Sequence, residues 1–326
     1  MTSFHLLLSL LMVGLVACNQ EVDIEEPNLP PRLVANAFLQ TDSAVTLALT
    51  QSQSAYNNAV LETVSGATVV LWEGMQEIAT LAEVSPGRYR SDFIPVVGQE
   101  YTLRVSKEGF ESIEATTQVP QPVAISAVNV ELDTTTIDIP ATYDTVLQIV
   151  DIREATVSFQ DPASERNHYE LAFFMYDTLI PGTGYQVTDT VRRFERLKLA
   201  SNDPAVDNTG NEVAVDLEGL DASPFDESSV SSWPLVFTDE LFNGRSYALP
   251  VRLIASVDEA TEPQLYVALR SITQGEYDYL RAFRLQITTG TTPFSEPVQI
   301  YDNVENGYGI VSGSSVDWVI VDLVSE

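Results

Sequence analysis

The sequence holds one cysteine and two histidines among 326 residues. A single thiol cannot close an internal disulfide. With His5 and His168 as the only imidazoles, the zinc sites that draw on several His or Cys ligands cannot be assembled, and no metal or cofactor is expected. A Ser-His-Asp or Cys-His relay would have to run through His168 once the leader is set aside. Basic residues are also scarce, 16 against 47 acidic ones, for a net charge of −31. Phosphate backbones need clustered Lys and Arg, so nucleic acid is excluded as a partner. Acidity of this kind serves solubility and repulsion from anionic surfaces. Neither common glycine-rich phosphate loop occurs. The apolar run Leu6 to Ala17 is too short to cross a bilayer as a helix, which takes roughly 20 residues.

That run instead has the length of a secretory leader's core, and it ends Leu15-Val16-Ala17-Cys18. This is the lipobox pattern of bacterial lipoproteins, in which the thiol is acylated and the leader removed. Residues 1–17 are therefore expected to be a signal peptide and Cys18 a lipidation site. The stretch before the run, Met1 to His5, departs from the usual pattern in having no Lys or Arg. Two or three acyl chains on Cys18, at roughly 0.8 kcal/mol per buried methylene, would make attachment effectively permanent. Residues 18–31 follow as a lipidated tether. Glu21, Asp23, Glu25 and Glu26 repel one another, and Pro27, Pro30 and Pro31 favour extended backbone.

From Arg32 to Val119 the pattern is that of short strands. Val45, Leu47 and Leu49 alternate with polar or small residues, and so do Tyr101, Leu103 and Val105. Ala67 to Trp72 is β-rich and runs into the turn Glu73-Gly74. Ser85-Pro86-Gly87 and Glu108-Gly109 are further turns, and Ile113 to Val119 is a last strand. Regular strands with this punctuation predict an immunoglobulin-like β-sandwich over residues 32–120. Pro120-Gln121-Pro122 marks the expected boundary.

A second, larger antiparallel β domain is expected over 121–326. Val123 to Leu132, Thr145 to Ile152, Thr156 to Phe159, Leu235 to Thr238, Ser246 to Ser256 and Leu265 to Ile272 read as strands. Tyr169 to Tyr176 is nearly all apolar, as a strand covered on both faces would be. Asn243-Gly244 is a strong hairpin signal. The one helix, near 274–287, opens with a capping box, Thr273 and Glu276, and carries Tyr279, Phe283 and Ile287 as a core stripe with Leu280 beside it. Val298 to Tyr301 and Val316 to Leu323 would be the last strands. The fold class is thus mainly β with one short helix.

Several features are weighed as functional. Arg192, Arg193, Arg196 and Lys198 form the one notable basic cluster, which could face a membrane or partner but reads more simply as pairing with acids of the same domain. The acidic stretch 201–219 offers oxygen ligands, but it lacks the spacing of an EF-hand loop and reads more simply as a surface loop. His168 sits among Glu165, Arg166, Asn167 and Glu170, which would bring acids near an imidazole. At a strand start it reads as a surface or capping residue. Trp72, Trp233 and Trp318 are candidate contact aromatics, though each reads more simply as core.

Pro293 to Tyr301 and Asn303-Val-Glu-Asn-Gly-Tyr-Gly-Ile310 resemble the domain-of-unknown-function 4249 family of Bacteroidota lipoproteins. Asp239-Glu-Leu-Phe-Asn-Gly244, Glu276-Tyr-Asp-Tyr-Leu-Arg281, Arg32 to Ala37 and Gly87 to Phe93 are similar to it as well. The acids after Cys18 resemble that phylum's surface-export signal. The resemblance carries no catalytic residue. It implies an outer-membrane protein beside a TonB-dependent receptor, and hence an accessory or binding role in nutrient uptake without catalysis. A cell-envelope hydrolase with paired carboxylates and a purely structural surface protein are the alternatives. Asn306-Gly307 and Gly309 allow left-handed backbone and close approach of another chain; a structural turn is the simpler reading and a ligand loop the alternative.

Overall fold

The computed structural model describes residues 30–54, 61–140, 145–163, 165–179, 191–207, 234–255, 264–289 and 298–322. It is mainly β, as expected, with one α-helix among the described residues. That helix is neither long nor apolar enough to cross a membrane.

The first half contributes β1 (Leu33–Gln40), β2 (Thr46–Gln51), β3 (Thr68–Glu73), β4 (Gln76–Ser85), β5 (Arg88–Arg90), β6 (Glu100–Ser106) and β7 (Ile113–Gln118). Alternation puts one face of each strand inside. Leu33, Ala35, Ala37 and Leu39 of β1 are buried together with Tyr101, Leu103 and Val105 of β6. They share one core with Leu47, Leu49, Val69, Leu71 and Tyr89. Strand β4 passes between layers: Ala79 and Leu81 pair with β3, whereas Ala82 and Glu83 pair with β5. Register breaks at Leu71/Trp72 and Glu83/Ser85 accompany that passage, as bulges bend strands.

The second half contributes β8 (Ile125–Pro140), β9 (Thr145–Gln160), β10 (His168–Leu179), β11 (Val191–Arg196), β12 (Lys198–Ala200), β13 (Leu235–Thr238), β14 (Ser246–Ala255), β15 (Gln264–Ile272) and β16 (Tyr308–Asp322), with helix α1 (Gln274–Thr289). Two sheets face each other. One holds β11-β10-β15-β16, with β13 also on β10, and the other holds β12-β14-β9-β8. Their shared core is aromatic: Phe159 of β9 lies 5.5 Å from Tyr169 and 6.0 Å from Phe237, ring to ring.

Strand β16 continues past this sandwich and pairs in parallel with β1, Val34 opposite Tyr308 through Gln40 opposite Ser314. One sheet therefore runs through both halves, and Val304 and Val311 complete the first core. Gly309 makes the join possible. Its φ is +114°, and a Cβ there would lie 2.1 Å from the Ala35 carbonyl oxygen.

Four expectations need correction. Asn243-Gly244 does not close a hairpin, because β13 pairs with β10 while β14 pairs with β9 in the other sheet. The turn carries the chain between layers, and Gly244, at φ +74°, donates its N–H to Asp161. Val298 to Tyr301 is not a strand. Thr145 to Ile152 and Thr156 to Phe159 are one strand. The helix buries Glu276 and Arg284, while Tyr279, Leu280 and Phe283 are only half-buried. Its anchoring face is thus partly charged, and the stripe Tyr279–Phe283 stacks on itself, centroids 5.8 Å apart.

Candidate functional site: a cleft beside the helix

Odd-numbered residues of β10 and β15 point into the sandwich core, so even-numbered ones face outward. Register lines these up in rows: Glu170, Arg270 and Val316, then Ala172, Ala268 and Trp318, then Phe174, Tyr266 and Ile320. Helix α1 covers the Glu170 end, leaving the aromatic end open. Between them the two alanines are too short to fill the row, and a cleft of about 230 Å³ results. Gln40 and Asp42, at and just after the end of β1, border it.

The polar wall is a chain of ion pairs. Arg196 donates to Glu170 at 2.8 Å, and Arg270 donates to Glu170, to Glu276 at 2.9 Å and to Ser314 at 2.8 Å. The second Glu276 oxygen accepts from Ser312 at 3.0 Å. Burial pushes the Glu276 carboxyl above its ordinary pKa, an effect Arg270 partly offsets. Burial acts against the Arg270 charge as well, but Glu276 and Glu170 outweigh it and hold that guanidinium above its usual value. Two guanidinium and two carboxylate groups leave this wall without net charge.

The other wall is aromatic. Trp318 is 44% exposed and sits 5.7 Å from Phe174, rings tilted by 42°. Phe194 stacks on Phe174 at 5.1 Å, and Tyr266 meets Phe194 edge-on at 5.5 Å. Arg196 lies over the Phe174 ring at 5.8 Å, joining the two walls.

Among the other residues singled out in the sequence, His168 is buried and not a surface residue. Its ring packs 5.2 Å from Tyr277, and burial lowers its pKa against the pull of Asp278 and Asp239. Thr273 caps the helix, its Oγ1 accepting from the Glu276 N–H at 3.2 Å. The Glu276 side chain turns away to Arg270 and Ser312 instead of completing the box. Asp203 accepts from Tyr247 and the Ala205 N–H, and Asp207 pairs with Arg281, so these acids hold the loop's entry to the sandwich. The remainder of the acidic stretch, Cys18 and Trp233 lie outside the described residues. Among the described residues no group of three or more His, Cys, Asp or Glu is placed to hold a metal ion. Trp72 is half-buried under Arg104, 4.8 Å from the guanidinium.

A family model, a domain of unknown function (DUF4249), matches residues 19–318. The chain belongs to the DUF4249 family. No functionally curated protein matches it. The DUF4249 segments quoted from the sequence are mostly joints of the scaffold. Asp239 accepts from the Asn167 N–H at 2.9 Å and from the Asn243 amide at 3.0 Å, pinning two connections together. Asn303 exchanges two hydrogen bonds with the Val311 backbone. Only Glu276, behind the cleft, belongs to such a segment and also to the site. Sequence reading missed Glu170 and Arg270 as a pair, although opposite charges inside two apolar strand runs were the available signal.

Proposed function

We propose that this DUF4249 protein is a lipid-anchored binding protein of the bacterial outer membrane, held by acyl chains on Cys18. It works beside a TonB-dependent receptor in nutrient uptake and catalyses no reaction. The lipobox supports the anchor, and the cleft supports the binding role. It is an open hollow on a rigid sheet face, with exposed rings on one side and hydrogen-bonding groups on the other. The pairing of Glu170 and Glu276 with one guanidinium favours this reading over a hydrolase. Carboxylates held so are committed to an ion pair, whereas paired catalytic carboxyls flank a bond to be broken.

Growth with a labelled fatty acid, comparing wild type with Cys18→Ser, tests the anchor. Label is expected on the wild type alone, and equal label on both would overturn it. Crosslinking in native membranes, followed by identification of captured proteins, tests the partnership. A TonB-dependent receptor is expected among them, and its absence from repeated captures would remove that part of the reading.

A further inference from the structure

We infer that the cleft beside Trp318 takes a neutral oligosaccharide, with one sugar ring lying against the indole. This rests on the binding role proposed above and names its ligand class. Three observations converge. The first is the shape and chemistry of the aromatic wall. A sugar ring has an apolar C–H face that stacks on an exposed aromatic, and Trp318 offers one on a strand, 44% exposed and braced by Phe174. The second is charge. Arg196 and Arg270 are already matched by Glu170 and Glu276, so an anionic ligand would have to compete with a buried carboxylate. Asp42 adds a carboxylate at the rim and forms no ion pair among the described residues. An uncharged ligand rich in hydroxyls meets none of this opposition: it can donate to Asp42, accept from Arg196 and do either with Gln40. The third is size. At about 230 Å³ the hollow falls below the roughly 300–1,000 Å³ typical of drug-sized ligands, which suits one ring or the end of a longer chain crossing the open face.

The polar wall also gives the site its rigidity. Arg196 is held by Glu170 and lies over Phe174, so its position is set before any ligand arrives, and little order is lost on binding.

The test uses the full mature chain on an array carrying neutral oligosaccharides, uronic-acid oligosaccharides and short peptides, followed by calorimetry with any oligosaccharide that binds. The expected result is binding among the neutral oligosaccharides. Trp318→Ala weakens it roughly tenfold or more, and Trp318→Phe, which keeps an aromatic face on the strand, retains more of it. Gln40→Ala, which leaves every ring in place, weakens it less but measurably. Binding confined to uronic acids or peptides, no binding at all, or neutral binding that Trp318→Ala leaves intact would each overturn the inference. Receptor capture in membranes is independent of this result. Capture without sugar binding removes the ligand class and keeps the uptake role, and sugar binding without capture does the reverse.

Discussion

Arg270 of β15 and Glu276 of α1, six positions apart, meet at 2.9 Å where the strand turns into the helix, and they carry the ion-pair chain across to Glu170 on the neighbouring strand. The helix is therefore fastened to the sheet by charge as well as by apolar contact. Its first turn supplies Glu276, which braces Arg270 of the cleft's polar wall from behind.

Glu276→Ala is expected to destabilise the protein by about 3–5 kcal/mol, the usual cost of removing one partner from a buried pair. The Glu276 side chain is 2% exposed, so water cannot take its place readily. The helix cap survives, since Thr273 bonds the backbone N–H. Urea unfolding should show a lower midpoint with an unchanged slope. A midpoint equal to wild type would mean the network adds nothing.

Gly309→Ala should be far more damaging than Gly74→Ala. Both positions have positive φ, which for other residues costs on the order of 1–3 kcal/mol. At Gly74 a Cβ meets nothing within 4 Å, whereas at Gly309 it would overlap the Ala35 backbone. Loss of the β1–β16 pairing is expected to leave the Gly309 variant poorly folded. Thermal unfolding of the two variants side by side decides this, and similar melting temperatures would contradict the close approach.

His168 predicts a pH dependence of stability. Burial lowers its folded-state pKa below the ordinary 6.5. As pH falls through 6.5 the unfolded chain therefore takes up the proton first, and stability is lost until the folded-state pKa is passed. Removing the group in His168→Gln should flatten that part of the curve. Denaturation at steps from pH 7.5 down to 5 checks it, and parallel curves for the two proteins would rule out the burial effect.

Strand alternation made most of the β elements legible in the sequence, because Leu47, Leu49, Leu103 and Val105 declare one buried face. The turns at Gly74, Gly87 and Gly109 were legible for the same local reason. Asn243-Gly244 misled because a turn signal reports local backbone, whereas the choice of sheet depends on distant partners such as Asp161. The cleft was less visible still. Trp318 was singled out, but its neighbours Phe174, Ala172 and Ala268 become neighbours only through register. The reach of β16 to β1 was hidden because Tyr308-Gly-Ile-Val-Ser-Gly-Ser-Ser315 is rich in small residues and lacks the usual alternation.

The parallel pairing of β1 with β16 has a consequence for how the chain folds. Asn36 accepts a hydrogen bond from Ile310, 274 positions further on. During synthesis the first strand is complete long before its neighbour exists. Its open edge must wait, and the loop-closure entropy of that contact is met late. Slow acquisition of the native state is expected from such high contact order.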